Sequence, residues 1–370
     1  MRRGLISWSR EEVSEQQFDA RVARLQARMR AEAMDAVLAY TAFDRPAAVS
    51  WLTHFVPYWN EALLAVFPSG APVMLASFSK RMHPWIREVC RVGEILGAPG
   101  LGRTAAGMLE ERVPGAARIG VINRDLLPWS VAEPIVGAVG SDALVDATGM
   151  FASIRQPSDA AEIRLAEHAA RIAAHAFESI PRDAAKTSEV LATMERAARL
   201  DGAEEVLLRI APDLARSAVL QRIEGDSALG TCYAVECSLA YKATWIRLTR
   251  SLGAAAPSWA AASRWLGDAV ATIDEAGVSA GPAPGAPGQI AAWTIEACVD
   301  SRPLSVISAG GTAAKAASAG GRLAAGSLAT LSLRLELADG PWLAGAPFVV
   351  GAAGEAGRAL APDEQSPKAK

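Results

Sequence analysis

The stretch from Gly230 to Leu252 contains side chains that can transfer protons or bind a ligand, and its residue pattern is typical of a β-hairpin. Apolar side chains alternate with smaller or polar ones in its first half, and a second β-branched and aromatic run follows at Thr244–Leu248, which predicts two paired strands. A carboxylate or a phenol there can transfer protons, and a guanidinium suits a carboxylate-bearing ligand. The candidate pocket residues of the stretch are Glu236, Tyr241, Trp245 and Arg247.

Two cysteines of the same hairpin are the candidate nucleophiles. Cys232 and Cys237 lie in the first predicted strand, with no histidine or other base near them in the sequence. A catalytic thiolate needs such an environment, whereas a small buried cysteine does not. We therefore expect both cysteines to be packing residues, and the sequence assigns no catalytic residue.

A second group of candidates is aromatic. The segment Trp51–Glu61 places large aromatic rings around polar positions, and such a group can line a ligand pocket. Its candidate ligand-binding residues are Tyr58, Trp59 and Asn60. A core or subunit contact between two strands explains the same segment, so both interpretations stay open.

The composition bounds the class of protein. The 370 residues are 51% hydrophobic and 21% charged, which is globular and long enough for two domains. A net charge of -3 gives no general attraction to nucleic acid or to an anionic membrane. The cysteines show no paired spacing, and neither a signal peptide nor a membrane-spanning run is recognisable. We therefore expect a cytoplasmic protein without zinc or disulfide frameworks.

The first part of the chain alternates predicted strands and helices. Ser14 and Gln17 form a capping box before an amphipathic helix, and Asp35–Tyr40 is typical of a buried strand. An apolar run at Ala62–Phe67 continues through a Pro-Ser-Gly turn into a second run. Since helices and further strands follow, we predict an α/β domain over residues 1–153.

A proline marks the start of the second part. Pro157 disfavours helix before it, and Ser158 or Asp159 can cap the helix that follows. The elements predicted around the hairpin are helices at Ser188–Leu200, Ser258–Ala276 and Gln289–Cys298, and strands at Glu204–Ile210 and Ala218–Arg222. We predict a second domain over residues 154–356 and a polar, disordered tail over 357–370.

These motifs resemble those of the creatinase, prolidase and aminopeptidase P family, the pita-bread hydrolases. Its members read roughly Gly-Asp-x-Val-x-x-Asp, Tyr-x-Gly-Tyr and Ser-Asp-x-Thr-Arg-Thr in their two metal-binding strands, and Gly230, Tyr241 and Leu248–Ser251 match this frame. The junction Ile154–Ile163 is similar to the Arg-x-x-Lys-x-x-x-Glu-Ile that opens their second domain. The resemblance implies an α/β N-terminal creatinase-like domain followed by an α+β pita-bread C-terminal domain.

The resemblance also implies a set of metal ligands, which is altered in this chain. Active members hold two metal ions with two Asp, two Glu and one His. The two aspartates match Glu236 and Arg247, and the two glutamates match positions near Ser332 and near Gly345. The loop with the family histidine corresponds to Ser305–Lys315, and no histidine follows His175.

A guanidinium at a ligand position opposes metal binding. A divalent ion ~4 Å from it meets roughly 8 kcal/mol of repulsion at an effective dielectric constant of about 20. Arginine stays protonated in proteins, so no change of pH relieves this repulsion. We therefore predict no metal site and no cofactor, and we predict that Arg247 pairs with Glu236.

Two functions stay open. The first is a metal-free homologue of the family, either a non-catalytic subunit or a ligand-binding pseudoenzyme, in a homodimer or in a heterodimer with a metal-competent paralogue. The second is a metal-independent, creatinase-like hydrolase or lyase of a small amide, amidine or amino-acid derivative. Creatinase works without metal through a histidine base, but the matching segment Leu214–Ile223 has none. In both cases Arg247 suits a small carboxylate-bearing ligand, and no nucleic acid or membrane partner is expected.

Overall fold

Two compact units make up the chain, the first ending at Arg155 and the second beginning at Gln156. The computed structural model describes residues 7–42, 47–57, 59–113, 115, 118–254, 257–275, 282, 284–297, 307–312 and 323–360. Among these residues, no helix is both long enough and apolar enough to cross a membrane.

The first unit is a six-stranded mixed sheet flanked by helices, which is the predicted α/β class. Its elements are α1 (Glu15–Ala31), β1 (Ala36–Ala42), α2 (Ala47–Thr53), β2 (Glu61–Val66), β3 (Val73–Ala76), α3 (His83–Val89), β4 (Glu94–Gly97), α4 (Leu101–Arg112), β5 (Ile119–Ile122), α5 (Trp129–Val139), β6 (Leu144–Asp146) and α6 (Thr148–Ile154). The strand order is β4-β3-β2-β1-β5-β6. Strand β2 pairs antiparallel with both β1 and β3. The pairs β1–β5, β3–β4 and β5–β6 are parallel. One hydrophobic core lies on each face of this sheet.

The predicted capping box opens the first helix. The Ser14 hydroxyl accepts a hydrogen bond from the Gln17 backbone N–H at 3.3 Å, and the Gln17 side chain accepts one from the Ser14 N–H at 2.9 Å. These bonds satisfy backbone donors that have no partner within the helix. The buried face of α1 includes Phe18, Leu25 and Met29, which the helical spacing predicts.

The second unit is an eight-stranded antiparallel sheet with helices. Its elements are α7 (Ala160–Glu178), α8 (Thr187–Leu200), β7 (Glu205–Ala211), β8 (Cys232–Tyr241), β9 (Thr244–Gly253), α9 (Pro257–Ala271), β10 (Gln289–Glu296), β11 (Ile307–Thr312), β12 (Leu328–Leu337), β13 (Gly340–Val349) and β14 (Arg358–Ala359). The strand order is β11-β10-β12-β13-β9-β8-β7, and β14 pairs with β13. This is the predicted α+β arrangement, with the predicted hairpin at β8 and β9.

Three local predictions differ from the structure. Gln289–Cys298 was expected to be helical, but Gln289–Glu296 is strand β10, because pairing with β11 and β12 outweighs the helix propensity of its alanines. Ala218–Arg222 does not form a strand and makes a single bridge, Gln221 to Ile210. Arg358–Ala359, assigned to the tail, pair with β13 instead, and residues 361–370 lie outside the described residues.

The central hairpin has one apolar and one polar face. Alternate residues of β8, including Val235, Cys237 and Leu239, join a hydrophobic core with the buried faces of α7 and α8. Since side chains alternate across a strand, Glu236 and Ser238 point to the opposite face. We call this second side of the eight-stranded sheet the polar face.

A buried carboxylate supports the turn of this hairpin. Lys242 and Ala243 both have positive φ, 47° and 62°, although neither is glycine. The Glu204 carboxylate accepts hydrogen bonds from both of their backbone N–H groups, the one from Ala243 being 2.9 Å long. Burial raises the pKa of Glu204 to about 7, and the two backbone hydrogen bonds oppose that shift.

Glu204 should make the stability of the protein depend on pH. Its pKa is about 7 in the folded state and 4.5 for an unperturbed glutamate, so the folded protein binds the extra proton and the free energy of unfolding falls as pH rises between these values. The full loss is on the order of 3 kcal/mol. We expect Glu204→Gln, which cannot ionise, to remove this part of the slope in urea unfolding between pH 5 and pH 7.5.

Glu110→Gln on the exposed side of α4 provides the matched control and should keep the wild-type slope. An identical pH dependence in wild type and Glu204→Gln would contradict the assignment.

Candidate functional site

A row of direct cross-strand partners crosses the middle of the polar face. Glu236 on β8 faces Thr249 on β9, which faces Gly345 on β13. Gly345 in turn faces Ser332 on β12, and Ser332 faces Thr294 on β10. Directly opposed residues of a sheet project from the same face, so their side chains form one continuous strip, here called the polar row.

The polar row contains most of the positions that match the family ligands. Ser332 and Gly345, which match the two glutamates, are opposed to each other. Arg247, which matches the second aspartate, lies two residues before Thr249 and faces Ser238. Of the segment that matches the histidine loop, only residues 307–312 are described, and they pair with β10 in strand β11.

Glu236 is held by two guanidinium groups. Its carboxylate accepts two hydrogen bonds from Arg209, at 2.7 and 2.8 Å. The Arg247 Nε atom lies 3.6 Å from the same carboxylate, so the predicted contact exists but is the longer of the two. Glu236 is 5% exposed. Burial of a carboxylate is tolerated here because two cations surround it.

Arg247 makes its short contacts elsewhere. Its Nε atom donates to the Ser238 hydroxyl at 3.0 Å, and its Nη1 atom donates to the Glu296 carboxylate. Glu296 lies on β10, which β13 and β12 separate from β9 in the sheet. Burial raises the pKa of Glu296, while the neighbouring Arg247 acts to lower it and Glu236 to raise it.

These contacts form an alternating series of charges, here called the charge chain: Arg209, Glu236, Arg247 and Glu296. Sequence reasoning identified the middle pair and missed both ends. The alternation of β7 could have indicated the face of Arg209, but only the pairing register brings it opposite Glu236. Glu296 was missed because its segment was assigned to a helix.

Two hydroxyl groups of the polar row are buried without a partner. Thr249 Oγ1 and Ser332 Oγ have no hydrogen bond among the residues that the structure describes. Between them, Gly345 has no side chain, and a Cβ built there would lie 3.0 Å from Thr249 Oγ1. A glutamate at this position would therefore require the Thr249 side chain to shift by a few tenths of an ångström.

The residues present do not fit a pair of metal ions. Glu236 is the only carboxylate among the positions matched above, and its two oxygens already accept hydrogen bonds from Arg209. Arg247 places a fixed positive charge within this group. Within the described ranges, no cluster of three or more His, Cys, Asp or Glu is arranged to bind a metal.

The other hairpin candidates lie on different sides of the sheet. Trp245 is half-buried and shares the face of Arg247, two residues away. Tyr241 does not join them, because it packs with the apolar core under α7 and its ring lies 4.2 Å from that of His168. The period of two already indicates this, since Tyr241 is five residues from Glu236.

The aromatic candidates belong to the first unit. Trp59 is 47% exposed and its ring lies 5.7 Å from Phe78. The Asn60 side chain donates to the Ser77 carbonyl at 2.7 Å and accepts from the Ser77 hydroxyl at 2.9 Å. These contacts order the turn before β2. Tyr58 lies outside the described residues, and a ligand-binding role for the three residues stays a prediction.

The hairpin cysteines are poor nucleophiles. Burial raises the pKa of Cys237 to about 12, and Glu236 adds to the shift. Burial also raises the pKa of Cys232, followed by the effect of Asp213. Both thiols are therefore protonated at neutral pH, as expected of packing residues.

Comparisons with known proteins extend these observations. Residues 21–156 match the model of the Creatinase/Prolidase N-terminal domain. The prolidase from Pyrococcus horikoshii OT3 has a TM-score of 0.68 at 13% identity over 94% of this chain and 99% of its own.

Two further structures cover nearly the whole chain. They are dipeptidase PepE from Mycobacterium ulcerans, with TM-score 0.65, 15% identity and coverage of 94% and 96%, and a Xaa-Pro dipeptidase from Bacillus anthracis, with TM-score 0.65, 15% identity and coverage of 95% and 99%. At these identities the likeness establishes the fold. No curated protein matches the chain significantly.

Alanine substitutions in the charge chain should lower the free energy of unfolding by unequal amounts. Glu236→Ala leaves two guanidinium groups without their shared carboxylate and should lower the free energy of unfolding by about 3 kcal/mol. Arg209→Ala should cost about 1 kcal/mol, since Arg209 is half-exposed and Arg247 still contacts Glu236. Denaturant unfolding measures both values.

The exposed pair Arg334 and Glu336, 2.6 Å apart, is the control, and Arg334→Ala should cost less than about 1 kcal/mol. Equal losses for Glu236→Ala and Arg334→Ala would show that the charge chain is not a buried network.

Proposed function

Because this chain has a creatinase/prolidase N-terminal domain and, over its length, the fold of prolidases, we propose that it is a metal-free homologue of that family. In this proposal the protein does not hydrolyse peptides through a pair of metal ions. It acts as a ligand-binding pseudoenzyme or as a non-catalytic subunit.

The charge chain is the observation that carries the proposal. In a dinuclear hydrolase the ions generate the hydroxide nucleophile and stabilise the developing negative charge. Here Arg247 stands at a matched ligand position and contacts Glu236 and Glu296. A cation there would have to displace a guanidinium that is already paired. Ser332 and Gly345, at two further matched positions, supply no carboxylate.

A metal-independent hydrolase is the second candidate, and Glu296 is the observation that favours it. Burial raises the pKa of its carboxyl group against the lowering effect of Arg247, and an elevated pKa is the direction that favours proton transfer by a carboxyl group. Arg247 beside it suits a substrate with a carboxylate. Such an activity would need no metal.

The oligomeric form belongs to the same proposal. A non-catalytic subunit would form a homodimer or pair with a metal-competent paralogue. Native mass of the purified protein, alone and after co-expression with such a paralogue, separates the two forms.

Metal content and peptidase assays test the first proposal. We expect the purified protein to bind no stoichiometric Mn²⁺, Co²⁺ or Zn²⁺ by elemental analysis, and to leave Xaa-Pro dipeptides intact with these ions added, because Arg247 opposes cation binding. Turnover of a Xaa-Pro dipeptide that disappears with chelator would contradict the proposal.

Turnover of a small amide or amidine in the presence of chelator, lost in Glu296→Gln and in Arg247→Ala, would favour the second candidate. Retained turnover in both variants would exclude these residues as its basis.

A further inference from the structure

Arg209 has one edge of its guanidinium group bound to a carboxylate and the other edge open. Its Nε and Nη2 atoms donate to the two oxygens of Glu236, at 2.7 and 2.8 Å. A guanidinium carries five N–H groups in a planar fork, so Nη1 and the second N–H of Nη2 form the opposite edge. In the part of the chain that the structure describes, Arg209 contacts no other carboxylate. Since Glu236 is buried and the Arg209 side chain is 47% exposed, the open edge faces solvent.

Arg91 has the same geometry with both edges occupied. Its Nε and Nη2 atoms donate to the two oxygens of Asp19, at 2.9 and 3.0 Å. Its Nη1 atom lies 3.2 Å from a Glu15 carboxylate oxygen. One guanidinium of this chain therefore holds two carboxylates, one on each edge. Arg209 has the first of these two contacts, and a carboxylate from outside the chain can make the second.

Arg247, the guanidinium that the sequence favours for a ligand, has less capacity to bind one. Its side chain is 12% exposed, and its Nε and Nη1 atoms already donate to Ser238 and Glu296. A ligand carboxylate there would have to displace a partner inside a buried network. Arg247 also lies near Glu236, so that carboxylate divides its charge between two guanidinium groups and neutralises Arg209 only in part.

Leu207 adds an apolar surface beside the open edge. It lies two residues before Arg209 in β7, so the two side chains project from the same face of the sheet, roughly 7 Å apart along the strand. Leu207 is 40% exposed although it is a large apolar residue. A leucine and a guanidinium at this separation suit a ligand that carries a carboxylate on a short aliphatic chain.

We infer that the open edge of Arg209 binds the carboxylate of a small aliphatic acid, whose apolar part lies against Leu207. This inference rests on the proposed ligand-binding function and gives it a contact residue and a ligand class. The two hydrogen bonds to Glu236 hold the guanidinium plane in place, so little side-chain freedom is lost when the ligand binds. The ligand displaces no member of the charge chain.

Two substitutions test the two contacts. The probe is isocaproate in NMR titrations at constant ionic strength, with isocaproamide as the uncharged analogue and acetate as the analogue without the aliphatic part. Arg209→Lys keeps a positive charge beside Glu236 but has no second bidentate edge, so we expect it to weaken isocaproate binding about tenfold. Leu207→Ala should weaken isocaproate binding about fivefold and leave acetate binding unchanged, because acetate does not reach that side chain.

Arg91→Lys is the matched control. The Arg91 side chain is similarly exposed, at 41%, but Glu15 occupies its second edge. This substitution should therefore leave isocaproate binding unchanged. A loss equal to that of Arg209→Lys would assign the binding to general surface charge and would overturn the inference.

Four further results also overturn it. They are equal isocaproate affinity in wild type and Arg209→Lys, unchanged isocaproate affinity in Leu207→Ala, equal binding of isocaproate and isocaproamide, and no binding of isocaproate to the wild type. Titration with Mn²⁺ separates these failures from that of the proposed function. Stoichiometric Mn²⁺ binding contradicts the metal-free function, whereas any of the four results without Mn²⁺ binding contradicts the Arg209 site alone.

Discussion

A buried carboxylate between two guanidinium groups is the constraint around which the polar face is organised. Glu236 is almost inaccessible to solvent, so its charge is tolerable only with the hydrogen bonds from Arg209 and the nearby charge of Arg247. Arg247 in turn forms an ion pair with Glu296, which lies on β10, three strands away from β9 in the sheet order. The charge chain therefore ties β7, β8, β9 and β10 together through side chains as well as through backbone pairing.

The two faces of the sheet bury different kinds of side chain. The face under α7 and α8 is apolar, and Cys237 lies within it as a protonated, inert thiol. The polar face instead buries acidic side chains against arginines, and two of its hydroxyls have no hydrogen-bond partner among the described residues. At the hairpin turn, Glu204 is a third case, a carboxyl group buried against backbone donors alone, where desolvation outweighs the hydrogen bonds.

The chain has the fold of prolidases, but the positions that match the metal ligands of that family carry other side chains. Ser332 and Gly345, two of these positions, are direct partners across the sheet, and Gly345 is also opposite Thr249, the partner of Glu236. Apart from the Glu236 carboxylate, these positions carry a guanidinium, a hydroxyl and a glycine, none of which supplies a good ligand for a divalent ion. A function has to be argued from such a site, because the same fold hosts different activities.

Local patterns in the sequence determined the hairpin, the capped first helix and the α/β class of the first domain, because these depend on residues close together in the chain. The α+β class of the second domain and the pairing of Glu236 with Arg247 followed from the resemblance to a known family. Tyr241 was grouped with Glu236 as a pocket candidate, but the structure places it with the apolar core on the other face. Only the tertiary structure decided that Arg209 and Glu296 complete the charge chain, and that Gly345 lies between Thr249 and Ser332 in the sheet. Those contacts join strands far apart in sequence, and their register is set by packing and pairing of the whole sheet, which no short stretch encodes.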